Sequence, residues 1–355
     1  MGNTYLNSKR FRQPDLPDDW LQIKTMDLHT GGEPLRVILD GFPELQGNNV
    51  LEYRNDCLLK HDTLRRALMF EPRGHADMYG CLLVPPNDAT ADFGIIFMHN
   101  EGYSTMCGHA IIAISVLAFT LGWKPIQTGT NTLIIDAPCG RITSFVDFDA
   151  QKNVQKVAFH CVPSFVLALD AQIELPGLGT VRYDLAYGGA FYAYVDLAKN
   201  SLGLELRPDL VTRLIDVGMR IKKGIIASER VIDHPFESDL GFLYGTIFID
   251  TASRAGLHSK NVCIFADGEV DRCPTGSGVS GRMAIHDRRK EIQLDQPIEI
   301  ESITGSTFKG SVVERLPYGL YQAVVPKVEG MAYITGSHTF VIDPNDPLKN
   351  GFLVR

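Results

Sequence analysis

NEGYSTMCGHAIIAISVLAFTLGW (residues 100–123) changes character at Cys107. Small and polar residues precede the cysteine. After it, Ala110 to Phe119 form a near-continuous apolar run, too long for a typical strand and closed by Gly122. The pattern predicts a buried helix that begins close to Cys107 and is entered from a polar loop.

Upstream, residues 1–19 are polar and rich in Pro and Asp, and read as a loosely held arm. From Leu21, LQIKTMDLHTGG and EPLRVIL predict two strands around a Gly-Gly turn. HDTLRRALMF (61–70) has helical spacing, with Asp62 or Thr63 as its cap, and MYGCLLVPP and ADFGIIFMHN read as strands. Downstream, after a strand-rich stretch to about residue 165, the order starts again. ELPGLGTVRYDLAYGGAFYAYVDL gives two strands around a second Gly-Gly turn, and PDLVTRLIDVGMRIKKGI is an amphipathic helix. FLYGTIFID and NVCIFAD are strands, and DRCPTGSGVSGRMAIHDRRK again runs from loop into helix. Cys107-Gly108-His109 and Thr275-Gly276-Ser277 thus hold corresponding places about half the chain apart. The pattern suggests an internal pseudo-duplication.

These two loops carry the candidate chemistry. A cysteine in the first turn of a helix lies at the positive end of the backbone dipole, beside N–H groups without intrahelical partners. That setting favours thiolate and lowers the thiol pKa below its free value of about 8.5. The same N–H groups can hold a carboxylate. Gly108 permits close backbone approach and His109 adds a polar donor. A small buried hydrophobe at Cys107 reads equally from the motif alone, and His99, Cys107 and His109 form an incomplete metal set. Gly276, Gly278 and Gly281 spell G-x-G-x-x-G, but the polar stretch DGEVDRCPT separates them from the preceding strand, which a dinucleotide fingerprint does not allow. The alternative is a second anion-binding helix start, with Asp271 supplying a carboxylate for a cationic amine.

The whole chain has 355 residues, 45% hydrophobic and 21% charged, with a formal net charge of −8. These are globular values with room for two domains, and the acidic balance argues against nucleic acid. Seven cysteines, an odd count without paired spacing, fit a reduced intracellular compartment. The N-terminus lacks the apolar core of a signal peptide, and no apolar stretch is long enough to span a bilayer. A cytoplasmic protein without membrane contact is expected.

Taken together, DLHTGGEPLRV (27–37), MFEPRGHADMYG (69–80), NEGYSTMCGHA (100–110), DLAYGGAFYA (184–193), FLYGTI (242–247), DRCPTGSG (271–278) and the terminal GFLVR resemble the proline racemase family. The resemblance runs over nearly all of residues 20–355 and is strongest to members that dehydrate trans-3-hydroxy-L-proline. It implies an α/β (α+β) fold of two pseudo-symmetric domains like those of diaminopimelate epimerases. Each would be a strand-rich half-barrel wrapped around a central helix, with the active site in the cleft between them. Domain 1 would comprise 20–165 plus 340–355, and domain 2 would comprise 166–339.

Racemases and 4-hydroxyproline epimerases of the family carry a second catalytic cysteine at the position held here by Thr275. The dehydratases carry threonine there. A hydroxyl is far too weak an acid or base at neutral pH to replace a thiol. The resemblance therefore implies a hydro-lyase in which Cys107 abstracts the C2 proton and the product is Δ1-pyrroline-2-carboxylate. Gly108, His109, Gly276 and Ser277 would hold the substrate carboxylate, and Asp271 the ring amine. It implies no cofactor and no metal, a small-molecule substrate (3-hydroxyproline), and it is compatible with a homodimer. Cys273, where relatives usually have serine, is a candidate second acid/base only if the loop is shifted. A racemase or epimerase pairing Cys107 with another group, and a non-catalytic amino-acid-binding protein, are the competing classes. His29, Gly31, Gly32, Glu33 and Tyr187 read as turn-forming residues, while Phe265 reads either as pocket lining or as an ordinary strand residue.

Overall fold

A computed structural model describes residues 16–228 and 230–354, so most of the arm expected over 1–19 lies outside the described residues. The first half opens with the hairpin β1 (Leu21–Thr30) and β2 (Glu33–Asp40), then α1 (Val50–Lys60) and α2 (Asp62–Met69). β3 (Tyr79–Val84) and β4 (Phe93–His99) lead into α3 (Gly108–Thr120), followed by β5 (Gly129–Ala137), β6 (Gly140–Phe148) and β7 (Val154–His160). The second half runs β8 (Ser164–Leu175), β9 (Gly179–Tyr187), β10 (Phe191–Asp196), α4 (Val211–Ala227), β11 (Leu243–Asp250), β12 (Ser259–Phe265) and β13 (Glu269–Val270). It continues with α5 (Gly276–Arg288), β14 (Ile298–Glu301), β15 (Thr307–Tyr318), β16 (Tyr321–Gly330) and β17 (Ala332–Ile342).

The halves repeat one plan. β2 pairs in parallel with β3 across α1 and α2, and β10 pairs in parallel with β11 across α4. Each time an antiparallel pair follows, β3–β4 or β11–β12, and the chain then enters a central helix. The sheet is continuous between the halves, because β16 pairs with β7, β8 and β15, while β17 returns to β1 with Leu21 opposite Ile342. The fold is the expected α/β one, with two pseudo-symmetric strand-rich half-barrels, each around its own helix.

Packing follows from the composition of the helices. From Gly108 to Phe119 every residue of α3 is buried, against β1, β2, β6, β7, β16 and β17. Burying each large aliphatic side chain, such as Ile111, Ile112 or Leu117, is worth roughly 1.5–3 kcal/mol over leaving it exposed. α5 is buried from Gly276 to His286, against β8, β9, β10, β15 and β16. Its glycines serve this packing and not a phosphate. A Cβ on Gly278 would lie 2.4 Å from Ile247 Cδ1, and one on Gly281 would lie 2.1 Å from the Tyr194 hydroxyl.

Two local expectations change. α1 was not anticipated, because its mixed composition buries only Val50, Asp56 and Cys57. α2 is capped by His61, without a side-chain cap bond, and not by Asp62 or Thr63, because α1 ends on His61 and the chain turns there. Among the described residues, no helix is long and apolar enough to cross a membrane.

Candidate active site

The two central helices meet end to end. Cys107 is the N-cap of α3 and Thr275 the N-cap of α5. Behind each cap stands a glycine, and the two glycines touch. A Cβ on Gly108 would lie 2.6 Å from the Gly276 Cα, and one on Gly276 would lie 2.7 Å from the Gly108 Cα. Any side chain at either position would force the helix ends apart. The first intrahelical amides are Ile111, bonded to the Cys107 carbonyl at 3.1 Å, and Val279, bonded to the Thr275 carbonyl at 2.7 Å. The amides before them, including those of Gly108, His109, Gly276 and Ser277, precede every intrahelical acceptor and converge on one place.

That place is a small cavity lined by Cys107, Gly108, His109, Asp271, Thr275, Gly276 and Ser277, the catalytic and substrate-binding residues expected from the resemblance. Phe265 also lines it, as do Tyr79, Met106, Tyr192 and Tyr244, which the sequence had not singled out. A larger groove beside Phe42, Tyr53 and Trp123 has no cysteine, histidine, lysine or arginine in its lining and offers no comparable chemistry.

The state of the sulfur corrects an expectation. Cys107 is only 4% exposed, and its thiol is pushed well above its ordinary value, not below it. Burial is the main cause. The Ala110 amide and the Tyr79 hydroxyl pull the other way, and the carboxylates of Asp271 and Glu33 add to the rise. A helix terminus favours an anion by about 2 kcal/mol at most, whereas desolvating a thiolate costs more. The sulfur nonetheless has polar neighbours. His109 Nδ1 lies 3.2 Å from it, and burial holds this imidazole at a pKa of about 3, so it is neutral. The pair is a thiol beside an uncharged imidazole.

The opposite wall is acidic. Asp271 is 5% exposed, and its Oδ1 accepts the Cys273 amide at 2.8 Å. Glu33, at the start of β2, is fully buried. Its Oε2 accepts the Arg272 amide at 2.7 Å, while Oε1 has no partner. Both carboxyls are raised, chiefly by burial, and Asp271 is the second cause for Glu33. The Arg272 guanidinium, 4.0 Å from Glu33 Oε2, works against this rise, and of the two carboxyls only Asp271 lines the cavity. From the sequence Glu33 read as a turn residue; the only signal of its role was an acid placed directly after the Gly31-Gly32 turn. On the other side, Ser277 Oγ bonds the Tyr192 hydroxyl at 2.7 Å.

The remaining nominations separate cleanly. Cys273 is fully buried and absent from the cavity lining, and its sulfur accepts the Thr275 amide at 3.4 Å. Its thiol therefore supports the loop and does not face the cleft. His109, Asp271 and Cys273 do bring one ligand-type atom each within 4.8 Å of one another. His99, once grouped with Cys107, instead faces Glu269 at 3.1 Å. Tyr187 is fully buried and stacks on Phe165 at 5.2 Å, which agrees with a packing role beside its turn.

Comparison with known proteins gives a consistent answer. Residues 25–353 match the family described as proline racemase. A trans-3-hydroxy-L-proline dehydratase of Colwellia psychrerythraea is 49% identical over 344 residues, covering 97% of this chain and 96% of that one. A trans-L-3-hydroxyproline dehydratase of Xenopus tropicalis is 44% identical, covering 97% and 99%. Among solved structures, a hydroxyproline epimerase from Agrobacterium vitis with bound trans-4-hydroxy-L-proline superposes with a TM-score of 0.86 at 28% identity, covering 94% of this chain and 96% of that one. With its matching motifs, paired half-barrels and helix-tip cysteine, the chain belongs to the proline racemase family.

Proposed function

We propose that this chain is a cofactor-independent hydro-lyase that dehydrates trans-3-hydroxy-L-proline to Δ1-pyrroline-2-carboxylate. One observation carries the reading: across the two abutting helix starts, a single thiol at Cys107 is matched by the hydroxyl of Thr275. Inversion at C2 needs an acid/base on each face of the ring, and a threonine hydroxyl cannot serve as the second at neutral pH. Elimination needs a base on one face only. The names borne by relatives that are 44–49% identical support the same substrate.

In this scheme the converging amides of Gly108, His109, Gly276 and Ser277 hold the substrate carboxylate. The ring ammonium sits beside Asp271, where it offsets a negative charge that opposes thiolate formation at Cys107. Substrate binding therefore favours the thiolate form of Cys107. His109, neutral and 3.2 Å from the sulfur, is placed to orient the thiol by a hydrogen bond. The thiolate removes the C2 proton, the C3 hydroxyl departs as water, and the enamine tautomerises to the cyclic imine. In the trans-3-hydroxy isomer the C2 hydrogen and the C3 hydroxyl share a ring face, so both events take place on the Cys107 side.

The test is product analysis after incubation with proline, trans-4-hydroxy-L-proline and trans-3-hydroxy-L-proline. Pyrroline-2-carboxylate from the last alone is the expected result. Inverted proline or 4-hydroxyproline without any pyrroline would assign the chain to the racemases, and binding without turnover or C2 exchange would make it a binding protein.

A further inference from the structure

Three phenols line the cavity, and they are not equivalent. The Tyr192 hydroxyl is engaged by Ser277 and the Tyr79 hydroxyl by Ser104. The Tyr244 hydroxyl is buried and makes no close hydrogen bond; its polar neighbour is the Tyr79 hydroxyl, which Ser104 already engages. Its ring is fixed by neighbours on several sides: Phe265 at 5.5 Å, Tyr192 at 5.8 Å and His99 at 5.9 Å between centroids. A buried hydroxyl without a partner costs about 1–3 kcal/mol. Here the cost is relieved when a ligand in the cavity presents an acceptor. The Cys107 sulfur and the Tyr79 hydroxyl both lie close enough to Tyr244 to influence its ionisation.

Thr275 also has an unpartnered, buried hydroxyl. It stands on the α5 side of the cleft, however, close to the Asp271 carboxylate, whose ionisation it influences. The departing hydroxyl of trans-3-hydroxy-L-proline lies on the other face, with Cys107.

On the dehydratase reading above, we propose that Tyr244 is the acid that protonates the departing C3 hydroxyl. The step balances. The Cys107 thiolate takes the C2 proton, and the C2–H electron pair becomes the C2–C3 double bond. The C3–O bond breaks with its pair on oxygen, which takes the Tyr244 proton and leaves as water. One proton passing from the Cys107 thiol to the Tyr244 phenolate, directly or through the nearby Tyr79 hydroxyl, restores both groups. No oxidant, metal or further co-reactant enters. Burial keeps the Tyr244 phenol above its ordinary value of about 10, so it arrives protonated, and the leaving hydroxide is a far stronger base.

The decisive variant is Tyr244→Phe, assayed in D2O for pyrroline formation and for deuterium entering C2 of recovered trans-3-hydroxy-L-proline. Dehydration is expected to fall by at least about 10²-fold in kcat, while Cys107-dependent C2 exchange continues. The thermal midpoint should hold or rise, because the lost hydroxyl makes no close hydrogen bond. Thr275→Val should lose less dehydration than Tyr244→Phe. Dehydration by Tyr244→Phe within about threefold of wild type would overturn the proposal. So would joint loss of exchange and dehydration, or a larger loss in Thr275→Val. If Tyr244→Phe melts early, 3-fluorotyrosine at position 244 keeps shape and hydroxyl while lowering the phenol pKa. A dehydration rate altered with exchange intact then supports the assignment, and an unaltered rate refutes it. A wild-type enzyme inert toward trans-3-hydroxy-L-proline would sink the dehydratase reading itself, a separate outcome.

Discussion

α3 starts from an extended Cys107, with φ −145° and ψ 100°, whereas α5 starts from a left-handed Thr275, with φ 67° and ψ 97°. Positive φ is strained for a β-branched residue and costs of order 1–3 kcal/mol. The two helix bodies differ to match. Behind Cys107, α3 is almost wholly apolar, and its one buried hydroxyl, on Ser115, bonds the Ile111 carbonyl and Ser144 Oγ, both at 2.7 Å. Behind Thr275, α5 carries the buried Arg282, which bonds Ser259 Oγ at 2.7 Å and Asn261 Oδ1 at 2.9 Å, while Asn261 in turn donates to the Pro274 carbonyl at 3.2 Å. The apolar helix holds the base by shape. The polar one holds a strained loop by a network of hydrogen bonds, and that loop sets the acidic wall. Pseudo-symmetry of fold therefore coexists with a division of labour.

The contrast can be broken most severely at the sulfur. Cys107→Ser should lower turnover of trans-3-hydroxy-L-proline by at least about 10³-fold, with C2 exchange lost as well, since an alcohol cannot act as the base. Steady-state rates and NMR exchange read both. Next comes the contact between the helix tips. Gly108→Ala must displace Gly276, and overpacking of this kind costs about 1–3 kcal/mol, so thermal unfolding should start earlier and turnover should fall with it. Thr275→Cys restores a thiol to the second tip. C2 inversion of trans-4-hydroxy-L-proline, followed by chiral chromatography, should rise about tenfold or more over wild type. Its absence would show that the left-handed backbone, and not the missing sulfur, divides the two helix starts.

A smaller effect concerns pH. Burial and the nearby carboxylates raise the Cys107 thiol, and the active form is the thiolate, so kcat/KM should climb with pH from neutral into the alkaline range. Asp271→Asn removes one of the negative charges opposing ionisation and should move the midpoint of that climb to lower pH, by about one unit, even as KM rises. An upward move would reverse the electrostatic account. The smallest effect belongs to Cys273→Ser, whose sulfur stands behind the loop. Turnover should stay within about threefold of wild type, with a thermal midpoint a few degrees lower.

Legibility in the sequence followed chemistry and periodicity. The apolar run after Cys107 announced a buried helix because no other element hides so many consecutive aliphatic residues. The two Gly-Gly turns and the loop at Asp271 were equally plain. α1 was not, since its polar composition gives little periodic signal. Glu33 and Tyr244 stand far from both loops along the chain, on strands whose pattern looks ordinary, so neither announced itself.

The sequence by itself determined the repeated order of strands and helix, the two helix tips and the asymmetry of one thiol against one hydroxyl, because each is written in local residue types and their order; the half-barrels followed only from the family resemblance. Only the tertiary structure decided how those tips behave. It brought Gly108 against Gly276, gathered Glu33 beside Asp271 and placed Tyr244 in the cavity lining. It also reversed the direction in which the Cys107 thiol is shifted. The physical reason is that desolvation and the Coulomb field of distant residues depend on what the folded chain packs around a group, and neighbours in sequence do not reveal it.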